Sequence, residues 1–140
     1  MFDFLDDMKT KYELIIYSSL NHKYLQPILN YLEREKKYFE YSFDETFCLY
    51  ANVFQGTKYL NFLCSTRPIK NVIAVDTSTK KFPLNPWSVI AVPWNLIIPP
   101  TALTKLGVVL TEISKNSDAR TAIKEYSANH NVNNTEFNLH

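Results

Sequence analysis

Apolar and polar positions alternate along this chain with two different periods. Phe2, Leu5 and Met8 recur at helical spacing, and Asp3, Asp6 and Asp7 precede Lys9 and Lys11. That charge order suits the helix dipole, so the pattern predicts an opening helix. The run Tyr12-Glu13-Leu14-Ile15-Ile16-Tyr17 is short, largely apolar and closed by Ser18-Ser19. It predicts a buried strand of the parallel type. Asn21 is placed to cap a following helix with an apolar stripe of Tyr24, Leu25, Ile28, Leu29 and Leu32. Pro27 fits that helix only if it lies in the first turn.

From Arg34 to Tyr41 the chain is polar and aromatic, and no element is expected there. Strands are expected at Phe47–Val53, at Lys70–Val75 before Asp76-Thr77-Ser78, and at Ser88–Val92. Prolines crowd the stretch from Pro83 to Pro100, which is otherwise expected to be extended loop. Thr101 can cap a helix carrying Leu103, Leu106, Leu110 and Ile113. Ser117-Asp118 can open another with Ala119, Ala122, Ile123 and Tyr126. Apolar strands interleaved with helices predict an α/β fold with a mainly parallel sheet. In such sheets chemistry gathers beyond the carboxyl ends of the strands. Two polar clusters occupy such ends, Ser18-Ser19 and Asp76-Thr77-Ser78. Residues 1–127 are expected to form the domain. The Asn-rich extension 128–140 is expected to order only against a partner.

Composition narrows the function. The chain is 46% hydrophobic and 14% aromatic, enough for a core, and its formal net charge is +1. That balance argues against a general nucleic-acid binder. Cys48 and Cys64 fit no zinc spacing, and Cys48 sits in an apolar run that favours a buried thiol. The acidic start is neither a secretory signal nor an Arg-rich transit peptide. The nearly apolar stretch Val89–Pro100 falls short of the roughly 20 residues of a membrane helix. No direct membrane span is expected, and any membrane association would run through partners.

The segment YELIIYSSLNHKYLQPILNYLE resembles the second motif region of the haloacid-dehalogenase superfamily. The branch it resembles holds the small phosphatases of the RNA polymerase C-terminal domain and the receptor subunit of the mitochondrial inner-membrane presequence translocase. Tyr12, Glu13, Ser18, Tyr24 and Pro27 take the motif places without a gap. The segment GTKYLNFLCSTRPIKNVIAVDTS resembles the third and fourth motif regions, with Gly56, Arg67, Val72 and Asp76 in register. FPLNPWSVIAVPW and the final helical segment VVLTEISKNSDARTAIKEY look similar to the continuation, the latter most like the translocase receptor. The resemblance covers roughly Phe2 to Tyr126. It implies a reduced haloacid-dehalogenase-like, Rossmann-like three-layer sandwich.

The resemblance also implies a chemistry. One Asp attacks phosphorus, a second Asp two residues later handles the proton, and magnesium offsets the phosphate charge. A Thr or Ser and a Lys hold the phosphoryl oxygens. Here the Asp-x-Asp-x-Thr element is missing, since the 17 residues before Ser18 read as a helix. The family's Lys place falls on Leu60. Lys58 is near, but two residues along a strand shift the reach by roughly 7 Å. Ser18 and Asp76 are therefore expected to be relics whose side chains serve local turns. No catalytic residue, metal ligand or cofactor is expected.

The missing strand has a structural consequence as well. In the family it lies between the strands represented by Tyr12–Tyr17 and Lys70–Val75. Those two must then pair with each other or be completed by another chain. The resulting expectation is a noncatalytic subunit of a mitochondrial inner-membrane complex, either translocase-like or an accessory subunit of a respiratory-chain or other large assembly. Its partners would be other protein subunits. Trp87, Trp94, Tyr126 and Phe137 are the candidate contact residues, and for the first three a core position is the competing assignment. The alternatives are a magnesium-dependent phosphoprotein phosphatase, possibly completed by another chain, and an adaptor of nuclear or cytosolic location.

Overall fold

The computed structural model describes residues 1–49, 56–92 and 101–129. The chain divides into two compact units, Met1–Lys58 and Tyr59–His140.

The first unit opens with α1 (Phe2–Lys9), which buries Leu5 and Met8 at the predicted spacing. Strand β1 (Leu14–Tyr17) follows, then α2 (His22–Leu32), then β2 (Phe39–Phe43). β1 and β2 pair in parallel, with α2 as the crossover between them. β2 was not expected, yet Phe39-Glu40-Tyr41-Ser42-Phe43 alternates aromatic and polar residues with the period of a strand. Its entry is fixed by Glu33, whose Oε1 accepts the N–H groups of Tyr38 at 2.9 Å and Phe39 at 2.7 Å. The Tyr38 hydroxyl donates to Asp6 Oδ1 at 2.8 Å, tying α1 to the same corner. Lys36 also pairs with Asp6. With Tyr38 it holds the Asp6 carboxyl below its ordinary range.

Two expectations for α2 need correction. Asn21 does cap it, with Oδ1 accepting Lys23 N–H at 3.0 Å. Pro27 lies inside the helix, not in its first turn. It can donate nothing to the Lys23 carbonyl one turn earlier. The predicted apolar stripe also splits in two. Leu25 and Leu29 are buried, while Tyr24 and Ile28 face solvent.

The strand expected at Phe47–Val53 is replaced at its start by a 3-10 turn over Glu45–Phe47, capped by Asp44. Leu49 makes one isolated antiparallel bridge to Thr57. Residues 50–53 lie outside the described residues. The turn forms because Asp44 Oδ1 accepts both the N–H and the hydroxyl of Thr46, a local bond that competes with a ladder.

In the second unit, 3-10 turns at Asn61–Ser65 and Ile69–Asn71 lead to β3 (Ala74–Asp76). The strand is thus shorter than the predicted Lys70–Val75. The cause lies next to Pro68, whose carbonyl accepts Asn71 N–H at 2.8 Å and draws the preceding residues into a turn. β4 (Val89–Ala91) pairs with β3 in parallel and is wholly buried. The bond from Val92 N–H to Asp76 O, 2.7 Å, closes that ladder. α3 (Ala102–Ser114) and α4 (Ala119–Asn129) complete the unit. α3 buries Leu106, Leu110 and Ile113 as expected, and Val109 besides. Thr101 sits at its N-cap position without a side-chain bond. α4 packs on α3 and on the 3-10 turn Pro86–Ser88. Asn85 pins the loops beneath, accepting Leu60 N–H at 2.8 Å and donating to Asn61 Oδ1 at 3.0 Å.

Among the described residues the ladders form two two-stranded sheets, β1 with β2 and β3 with β4. The two strands expected to flank a missing neighbour are therefore not each other's partners in these ladders. All four residues of β1 are only half-buried, although their sequence reads as a strand covered on both faces. Mixed α/β structure with parallel pairing is the class the sequence predicts. No described helix is long and apolar enough to cross a membrane.

Candidate functional site

The carboxyl end of β1 is where this fold places chemistry. Ser18 N–H extends the β1–β2 ladder by donating to Phe43 O at 2.8 Å. Its Oγ accepts Leu20 N–H at 3.0 Å, shaping the turn into α2. Tyr17 places its ring edge-on to Phe43 and donates its hydroxyl to Phe47 O at 2.7 Å. Cys48 Sγ lies 3.9 Å from Ser18 O. Burial pushes the Cys48 thiol above its ordinary range, and the nearby Lys58 charge acts the other way.

Lys58 is the residue that sequence reasoning placed out of reach. Gly56, at φ +74°, turns the chain back beside Ser19, with its Cβ position 3.5 Å from Ser19 Cβ. The positive φ, rather than crowding, is what calls for glycine there. Thr57 then bridges to Leu49, and Lys58 lies buried with Nζ 5.5 Å from the centre of the Tyr17 ring. Leu60, which the ungapped register puts at the family's lysine place, is a buried core residue. The available signal was the Gly56-Thr57-Lys58 turn itself, because a glycine two residues before a lysine resets where that lysine reaches. A buried lysine thus lies against the last residue of a parallel strand in the first unit.

In the second unit, Asp76 ends β3. Its Oδ1 accepts Thr77 N–H at 2.7 Å and the Thr77 hydroxyl at 3.3 Å. Magnesium of the kind such phosphatases use needs several oxygen ligands, carboxylates among them. Among the described residues no three His, Cys, Asp or Glu come together.

Of the candidate contact residues, Trp87 is 47% exposed and carries Lys124 Nζ 4.5 Å over its ring. Tyr126 is half-buried on α4. Trp94 and Phe137 lie outside the described residues.

No curated protein matches the chain. The family of NLI interacting factor-like phosphatases matches it over residues 1–120. With that match spanning most of the 140 residues, and with the α/β order and parallel pairing just described, the chain belongs to the NLI interacting factor-like phosphatase family, of haloacid-dehalogenase-like fold.

Proposed function

We propose that this chain is a noncatalytic, protein-binding member of its phosphatase family, working as a subunit of a mitochondrial inner-membrane complex. The observation that carries the reading is chemical. Within the 140 residues no Asp is followed two positions later by another Asp, so the chain offers no pair to attack phosphorus and move its proton. The strands lend support. β1 and β3 each have one ladder neighbour among the described residues, and apolar Leu14, Ile15, Ile16 and Val75 are half-buried or exposed. A strand or surface supplied by an assembly would cover them. The membrane location rests on the resemblance of the closing helices to the translocase receptor. The complex is translocase-like or a respiratory-chain or other large assembly. Purifying the native chain from fractionated cells tests the reading. Stoichiometric inner-membrane partners are expected, and recovery as a free nuclear or cytosolic protein would overturn it.

One observation favours a second reading. Lys58 Nζ lies 5.5 Å from the ring of Tyr17, the residue before Ser18, so a cation stands near the strand end where the resemblance puts a phosphate-binding hydroxyl. A chain supplying the missing carboxylates would complete a magnesium-dependent phosphoprotein phosphatase. Magnesium-dependent turnover that appears only on adding a partner would establish that reading.

A further inference from the structure

Helix α2 carries two apolar lanes where a surface helix needs one. Leu25 and Leu29 form the buried lane. Beside it, Tyr24, Ile28 and Tyr31 recur at i, i+4 and i+7, the spacing of a helix-packing seam. These three are 63%, 44% and 55% exposed. A single exposed apolar residue needs no explanation, but an ordered lane of three is a helix face that the described residues leave largely open.

The helix itself carries no carboxylate, and its C-cap Glu33 is turned to the N–H groups of Tyr38 and Phe39. From His22 to Leu32, α2 contains Lys23 and no Asp or Glu. At the far end of the lane, the Arg34 guanidinium lies 4.9 Å from the Tyr31 ring centre and 4.8 Å from that of Phe2. Phe2 and Tyr31 are themselves 6.1 Å apart, so the lane ends in two rings bound by one cation. Glu35 reaches Arg34 at 3.6 Å, but with its side chain 81% exposed it is a weak, solvated partner.

We infer that the Tyr24–Ile28–Tyr31 face of α2 docks an acidic amphipathic helix from another protein. Apolar side chains of that helix at matching spacing would lie along the lane. Its carboxylates would meet Lys23 and Arg34. An acidic helix fits better than a second copy of α2, because two copies would bring their own cations together without a carboxylate on either helix. The inference goes beyond the noncatalytic reading and does not rest on it, since an active phosphatase could carry the same face.

The test is an amide-shift NMR titration of the full chain with two short helical peptides. Both carry leucines at i, i+4 and i+7, flanked by glutamates in one and by lysines in the other. Shifts confined to α2, Phe2 and Arg34 are expected, with the glutamate peptide binding about tenfold tighter. Ile28→Glu should abolish binding and leave the melting temperature unchanged, and Tyr31→Gln gives a milder variant of the same face. Lys23→Glu with Arg34→Glu should reverse the peptide preference. Equal binding of both peptides, shifts elsewhere, or no binding at millimolar concentration would overturn the inference. So would a dimer of the chain, seen by sedimentation, that Ile28→Glu dissolves.

Discussion

At the scale of single residues, the Ser18 hydroxyl and the carboxylates of Glu33, Asp44, Asp76 and Asp118 fix local turns and caps. Asp118 caps α4 by accepting Arg120 N–H at 3.0 Å, and also takes two bonds from the Arg120 guanidinium. The side-chain bond from Arg120 lowers the Asp118 carboxyl to about 2. A depressed carboxylate stabilises the fold above its unfolded value of roughly 3.9, and that contribution is lost as pH falls through the folded value. Melting temperature followed from pH 5 down to pH 2 should therefore fall further for the natural chain than for Asp118→Asn. Parallel curves would show that the pair does not act on stability. Glu33 makes a separate prediction. Removing its carboxylate strands two backbone N–H groups at the entry to β2, so Glu33→Ala should cost about 1–3 kcal/mol in denaturant unfolding. Amide exchange at Tyr38 and Phe39 should accelerate with it. The candidate site was partly legible at this scale. Ser18 and Asp76 stand at strand ends that apolar runs announce. Lys58 did not stand out, because burial of a lysine depends on how the Gly56 turn returns the chain, and a linear register carries no such information.

At the scale of elements, periodicity located α1, β1, α2, β4, α3 and α4, each of which has a clear apolar repeat or run. The misses have particular causes. β2 is aromatic on one side and polar on the other, and its alternation was masked by the charged stretch before it. The segment around Asp44-Glu45-Thr46 forms local side-chain bonds that displace a strand. α2 was placed correctly, but Pro27 sits in its interior, where it withholds one helical hydrogen bond. An interior proline costs about 3 kcal/mol, offset in part by the stiffness it gives the unfolded chain. Pro27→Ala should therefore raise unfolding stability by about 2 kcal/mol, as measured in urea. A destabilised Pro27→Ala variant would mean that the proline ring itself is needed for packing Leu25 and Leu29.

At the scale of the whole molecule, the family and the α/β class follow from the match over residues 1–120 and the parallel ladders. The role we propose within that family rests on the lack of an Asp-x-Asp pair among these 140 residues. Near-neutral charge and half-covered apolar strands suit a protein that works against other proteins, as we propose. The most direct measurement is release of phosphate from phosphopeptides by the native complex in the presence of magnesium, set beside complex carrying Asp76→Ala. Our account predicts the same background rate for both. Turnover above background that disappears in the Asp76→Ala complex would contradict it.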